Sequence, residues 1–213
     1  DIVPGGKNNG ELQLILTEMY GAFGLSPMVR MKRASLHLGN GNFEKVLPDC
    51  EAVQNDENLA DDAYEKKTAK ALKQAARLGI AQKLFESGAK DEAVALYYDI
   101  YQTDPDDLVA VKSYAGALLG VDRADESVEI LEKFTPTPEE EFDYYAIYGA
   151  ANFNAKRFEP ALDAYTRLIE MRPELTEFQY SLATCHRKLE QWDKAIELYK
   201  GLQEDFPEDG EPW

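Results

Sequence analysis

Small and large apolar residues return along this chain at a fixed interval. Ala195, in QWDKAIELYKGLQEDFP, lies 34 residues after Ala161, in RFEPALDAYTRLIEMRP. Ser127 and Ala93 continue the series toward the N-terminus at the same spacing. The interval divides the chain into four contiguous blocks, 74–107, 108–141, 142–175 and 176–209. Position 8 of each block is small (Ala81, Ala115, Gly149, Ala183), and so is position 20 (Ala93, Ser127, Ala161, Ala195). Position 24 is large (Tyr97, Leu131, Tyr165, Tyr199), as is position 27 (Ile100, Phe134, Leu168, Leu202). Position 32 holds Pro105, Pro173 and Pro207, with Pro138 one residue early. The pattern predicts two antiparallel helices per block. Small residues let the backbones approach, large ones fill the space toward the next pair, and proline stops the second helix because it lacks the amide donor and restricts the residue before it.

This period and this small/large/Pro pattern resemble the tetratricopeptide repeat. The resemblance covers 136 of the 213 residues in four in-register copies. It implies an all-α fold, a right-handed superhelical solenoid of helical hairpins in which stacking supplies the core that no single repeat can bury. A weaker block fits 27–60, with Ala34 at position 8 and Gly41-Asn42-Phe43 at the interhelix turn, although Val46, Cys50 and Asn58 depart from the pattern at positions 20, 24 and 32. Thirteen further residues, DDAYEKKTAKALK (61–73), separate it from the next block. They lack Gly and Pro and are rich in helix formers, which predicts one long helix from about 61 to 86. Residues 10–23, GELQLILTEMYGAF, read as a helix that GLSP ends, the remnant of an earlier degenerate repeat, and DIVPGGKNN before it as a flexible lead. At the other end the frame opens a new block at Gly210 and puts Trp213 at position 4, where the family often has Trp; the chain is therefore expected to be a fragment of a longer array.

Charge adds a strong asymmetry. The formal net charge is −17, and residues 91–213 alone hold 11 Lys+Arg against 28 Asp+Glu, whereas residues 27–90 hold 11 against 9. That acidity argues against nucleic acid, whose binding rests on basic residues neutralising phosphates, and against anionic membrane surfaces. Apolar stretches fall far short of the roughly 20 residues of a spanning helix, so no membrane insertion is expected. Two cysteines make no disulfide framework. A reducing, cytoplasmic setting is the default expectation, with the periplasm left open; no signal peptide is visible, and the start at Asp1 leaves open a removed leader.

Chemistry is sparse. His37 and His186 both fall at position 11, on the packed side of a first helix. Cys185 precedes His186, but neighbours on a helix do not face each other, and a small buried Cys is the simpler reading. GNGNF (39–43) lacks the strand, the third glycine and the Lys of a phosphate loop. DPDD (104–107) lacks the alternating oxygen ligands and central glycine of a calcium loop. No catalytic, cofactor or metal site is expected, and the chain is read as a non-enzyme.

What the resemblance implies instead is a concave groove lined by positions 2, 5, 9, 12 and 13 of each first helix. Carried over, these are Met28, Met31, Ser35 and Leu38; then Ala75, Leu78, Gln82, Phe85 and Glu86; Val109, Lys112, Gly116, Leu119 and Gly120; Asp143, Ala146, Ala150, Phe153 and Asn154; and Glu177, Tyr180, Thr184, Arg187 and Lys188. The first four sets are markedly apolar, which suits an apolar helix or extended segment of a partner protein; packing between repeats is the competing use of the same side chains. The family's carboxylate clamp for acidic chaperone tails is not expected: Lys112 matches, but Gly116, Ile147, Glu177 and Ser181 stand at its other four positions. Lys66, Lys70, Lys73 and Arg77 form one stripe on the inserted helix, either a docking site for acidic surfaces or a solvated face. The resulting expectation is a non-catalytic interaction scaffold with no cofactor. The alternative is a regulatory or targeting segment of a larger enzyme or co-chaperone, and the oligomeric state is left open.

Overall fold

The computed structural model describes residues 26–205, and every described element is a helix or a turn. The helices are α1 (Pro27–Gly39), α2 (Phe43–Gln54), α3 (Tyr64–Glu86), α4 (Lys90–Thr103), α5 (Leu108–Leu119), α6 (Ala124–Leu131), α7 (Glu141–Asn154), α8 (Phe158–Met171), α9 (Thr176–Lys188) and α10 (Trp192–Asp205). The chain divides into two compact units, Asp1–Leu96 and Tyr97–Trp213. The expected helix over 10–23, the lead before it, and the repeat start at 210–213 with Trp213 lie outside the described residues.

Each corner between the two helices of a pair is built the same way. Two or three residues past the first helix the chain turns into the left-handed region: Gly41 (φ 69°), Gly88 (φ 92°), Asp122 (φ 60°), Lys156 (φ 61°) and Glu190 (φ 60°). The next amide then reaches back five residues: Asn42 N–H to His37 C=O, Ala89 to Leu84, Arg123 to Leu118, Arg157 to Asn152, and Gln191 to His186, all at 2.8–3.0 Å. The left-handed residue's own amide bonds the carbonyl three back, as in Lys156 to Phe153 at 3.1 Å. This double bond is the Schellman closure, which satisfies carbonyls a helix end leaves open. Four of the five corners recur every 34 residues, and Gly41 precedes Gly88 by 47, the difference being the 13 residues 61–73, of which the last ten lengthen α3 and the first three form a turn before it.

Unit 1 packs α1, α2 and α3 against one another. Its core joins Met31, Ala34, Val46, Cys50, Val53, Ala69 and Ala76, with Leu38, Phe43, Leu47, Leu59 and Leu72 against it. Phe43 lies on the bare backbone of Gly79, where an added Cβ would sit 2.5 Å from its ring. Lys83 stands over the same ring (4.6 Å) and donates to the Gly41 carbonyl (2.6 Å), so the first corner is locked onto α3. Asp49 of α2, 1% exposed, is held between Arg30 (3.3 Å) and Arg33 of α1.

In unit 2 each helix from α5 to α10 packs on its successor, and α5 also packs on α7. Small residues sit where backbones meet. Ala115, Ser127, Ala161 and Ala183 are fully buried. Ser127 donates its hydroxyl to the Ala115 carbonyl (3.0 Å), which answers for its polarity. Gly149 faces the Tyr165 ring, 3.0 Å from where a Cβ would stand. Leu131 and Leu168 are fully buried, each worth about 2 kcal/mol by area. One element departs from the repeat pattern: α6 spans 8 residues, against 14 in α8 and α10. Pro136 and Pro138 follow it, and a proline biases its predecessor away from the helix. Phe134 is thus left outside a helix, yet its ring still meets Tyr144 (6.0 Å).

Candidate functional site

A concavity among the described residues lies in unit 1. A cavity of about 670 Å³ opens between the first three turns of α1 and the start of α3, lined by Met28, Met31, Lys32, Ser35, Leu36, Tyr64, Glu65 and Thr68. Ser26 caps α1 by accepting from the Val29 amide, and Pro27 starts it, which is where proline's fixed φ and missing donor cost nothing. Met28, 61% exposed, stands at the mouth; Met31, 7% exposed, closes the floor and reaches the core. The opposite wall exists only because α3 begins ten residues before the 34-residue frame, and it carries Tyr64, 79% exposed. Thr68 turns its hydroxyl back to the Tyr64 carbonyl (2.8 Å), leaving a methyl on that wall. Lys32, Ser35, Glu65 and Thr68 supply polar groups beside the apolar surfaces of Met28, Met31, Leu36 and Tyr64.

The other groove residues fall as follows. Leu38 packs against the unit 1 core. Leu78 is half-buried, Gln82 donates to Glu86 (2.7 Å), and Phe85 lies under the Lys90 ammonium (5.2 Å). In unit 2, Val109 is exposed and Lys112 pairs with Asp143 (3.0 Å), joining positions 5 and 2 of successive first helices. Leu119 and Ala150 are half-buried, while Ala146 and Phe153 pack against the cluster of Ala161, Tyr165, Leu168 and Cys185. Tyr180 is exposed and meets Tyr199 edge-on (5.5 Å), Thr184 shares a hydrogen bond with the Tyr199 hydroxyl (2.9 Å), and Arg187 is exposed. Of the basic stripe, Lys66 pairs with Asp61 (3.1 Å) and Lys73 with Glu51 (3.1 Å); Lys70 is exposed and Arg77 half-buried.

The groups with chemistry are placed for packing. Burial pushes the thiols of Cys50 and Cys185 up to about 11, away from the thiolate a nucleophile needs. His186 is buried and its Nδ1 bonds the Gln191 side chain (2.8 Å). His37 is half-buried with Nδ1 unpartnered, and its pKa is lowered by burial, then by Lys45 and Arg33, against Asp49. Among the described residues no group of three or more His, Cys, Asp or Glu is placed to hold a metal ion, and no helix is long and apolar enough to cross a membrane.

Helical pairs closed by identical corners at 34-residue spacing define a tetratricopeptide-repeat fold. The tetratricopeptide-repeat family profile matches residues 153–213. No curated protein sequence matches it. Among solved structures it is similar to residues 41 to the end of MamA from Desulfovibrio magneticus RS-1, at 14% identity over 86% of this chain and 97% of that one, with a TM-score of 0.61. It is also similar to MamA of AMB-1, at 18% identity over 82% and 96%, with a TM-score of 0.60. A further crystal structure of MamA matches at 25% identity over 60% of this chain and 75% of that one, with a TM-score of 0.53. Likeness at this level carries the fold.

Five lining residues of the unit 1 pocket were missed by sequence reasoning: Tyr64, Glu65 and Thr68 lie in the insertion, outside the frame that assigns groove positions, and Lys32 and Leu36 fall at positions 6 and 10 of their block, which the groove set does not include. A signal was present: Tyr64 is the one aromatic in YEKKTAKALK, and Thr68 follows at i+4, on the same face of a helix.

Proposed function

We propose that the chain is a non-catalytic scaffold that binds an apolar helix of a partner protein, with the α1–α3 pocket as its anchor point. The observation that carries this reading is the pairing of Met28 and Tyr64, two large, largely exposed side chains facing one cavity from two helices. Methionine adapts its three rotatable bonds to an incoming surface. Tyrosine offers a rigid apolar face with a polar tip at small entropic cost. A cavity of about 670 Å³ lies within the 300–1,000 Å³ range typical of ligand pockets, and helix-in-groove recognition seats such anchors at i, i+3/4 and i+7. The exposed faces of α5 and α9, through Val109 and Tyr180, offer further contact on unit 2.

The test is a titration of amphipathic helical peptides, carrying Leu or Met anchors at that spacing, into the full chain labelled at its methionine methyls. The chain has four methionines, so the signals are few. Movement of Met28 and Met31 with Met171 still, lost when the anchors become Ser, supports the reading. Peptides that move no methyl, or move Met171 alone, overturn it.

A further inference from the structure

We propose that Lys32 and Glu65 select the helix that the α1–α3 pocket accepts: one whose apolar stripe is edged by acidic residues on one flank and basic residues on the other. The selection rests on the reading that this pocket takes an apolar helix, and it adds that helix's charge pattern. Lys32 lies in the second turn of α1, one turn after Met28 and one turn before Leu36, and all three line the pocket. Glu65 lies in the first turn of α3, next to Tyr64 and three residues before Thr68. The two walls therefore carry opposite charges beside the same apolar surfaces.

Neighbouring charges are spent elsewhere. Arg30 and Arg33 of α1 are held by Asp49, and Lys66 of α3 by Asp61 (3.1 Å), whereas among the described residues neither Lys32 nor Glu65 enters an ion pair. The backbone sharpens the contrast. α1 has no acidic residue in its first turn, so the partial positive charge of its N-terminus stands with Lys32. α3 carries Glu65 in its own first turn, which offsets the like charge there. A helix seated by its apolar stripe meets α1 with one flank and α3 with the other, and in paired helices such flanking positions set partner choice and orientation. Acidic residues toward Lys32 and basic residues toward Glu65 attract. Like charges on both flanks leave one wall repelled whichever way the helix lies. Turning the helix end for end exchanges its flanks, so a mixed pattern also fixes its direction. The formal charge of −17 draws any basic helix, so the selection is read as a change of rank between variants.

The test uses the full chain and three helical peptides with the same Leu anchors: Glu on both flanks, Lys on both, or Glu on one and Lys on the other. Titrations run at about 0.15 M salt, where charges more than about 8 Å apart are largely screened. The unaltered chain is expected to bind the mixed peptide about three- to tenfold more tightly than either uniform one, the scale of exposed ion pairs. Lys32→Glu makes both walls acidic and should move first place to the all-Lys peptide. Glu65→Lys makes both walls basic and should move it to the all-Glu peptide. Lys194→Glu, exposed on α10, changes the net charge as Lys32→Glu does and should leave the rank unaltered. The same rank in every chain overturns the inference; Lys32 is exposed, so its variant decides the matter even where Glu65→Lys fails to fold. If the peptides bind equally and still shift the Met28 and Met31 methyl signals, the pocket reading stands and this one falls; if none binds, both fall. Pocket signals that move with the concentration of the chain alone would put a second copy in the pocket and overturn the inference too.

Discussion

Replacing Lys156 by glycine is expected to stabilise this protein, against the usual direction for a residue flanking two helices. Lys156 is exposed and sits at φ 61°, a conformation that crowds Cβ against the following carbonyl and costs a non-glycine residue about 1–2 kcal/mol. Glycine removes that cost but frees the unfolded chain, which returns about 0.4–1 kcal/mol. The net gain is about 0.5–1 kcal/mol, or a few degrees in Tm for a chain of this size. Glu190 and Asp122 occupy the same place in their corners, so E190G and D122G are expected to act alike. The converse experiment isolates the backbone. Gly88 sits at φ 92° and an added Cβ meets nothing within 4 Å, so G88A has no packing consequence and is expected to destabilise by about 1 kcal/mol. Thermal and urea melts of the unaltered chain, K156G, E190G and G88A check this. A destabilised K156G together with a neutral G88A would refute the claim that all the corners share one strained position.

Other expectations follow from single contacts. Gly79→Ala would raise helix propensity by about 1 kcal/mol, yet its methyl meets the Phe43 ring at 2.5 Å; melts are expected to show a net loss of about 1–2 kcal/mol, recovered in part by pairing it with Phe43→Leu. Asp49→Asn strips the buried charge from between Arg30 and Arg33 and is expected to cost about 2 kcal/mol by urea melts, below the 3–5 of a fully buried pair because both arginines reach water. His37 is held neutral in the fold, its pKa below the ordinary 6.5. Its contribution is therefore whole above 6.5 and is lost as pH falls from 6.5 through the lowered native value, because the unfolded chain binds the proton first. Melts across that window should show a steeper acid loss in the unaltered chain than in His37→Gln.

The sequence made the all-helical repeat legible because close backbone approach demands small residues at fixed places, and Ala81, Ala115, Gly149 and Ala183 satisfy that demand in register. The corners were only half legible. Gly41 and Gly88 announce a left-handed residue, while Asp122, Lys156 and Glu190 adopt the same conformation without glycine because the hydrogen bonds around them impose it. The short α6 followed from Pro136, a local effect that overrode the period. Groove positions carried over from the frame do not distinguish an exposed Met28 from a Leu38 spent on the core, because that difference is made by the neighbouring helix. The pocket itself depends on an insertion the period cannot index.

The central claim is that Met28 and Tyr64 anchor an apolar helix. Its most direct measurement is the affinity of an amphipathic helical peptide for the unaltered chain and for the Met28→Asp and Tyr64→Asp variants, each checked for unchanged melting. Both side chains are exposed in the free protein, so the folds are expected to survive. Loss of one buried anchor is worth about 1.5–3 kcal/mol, and the account predicts affinity weakened by roughly 10- to 150-fold in each variant. Equal affinity in all three chains would contradict it.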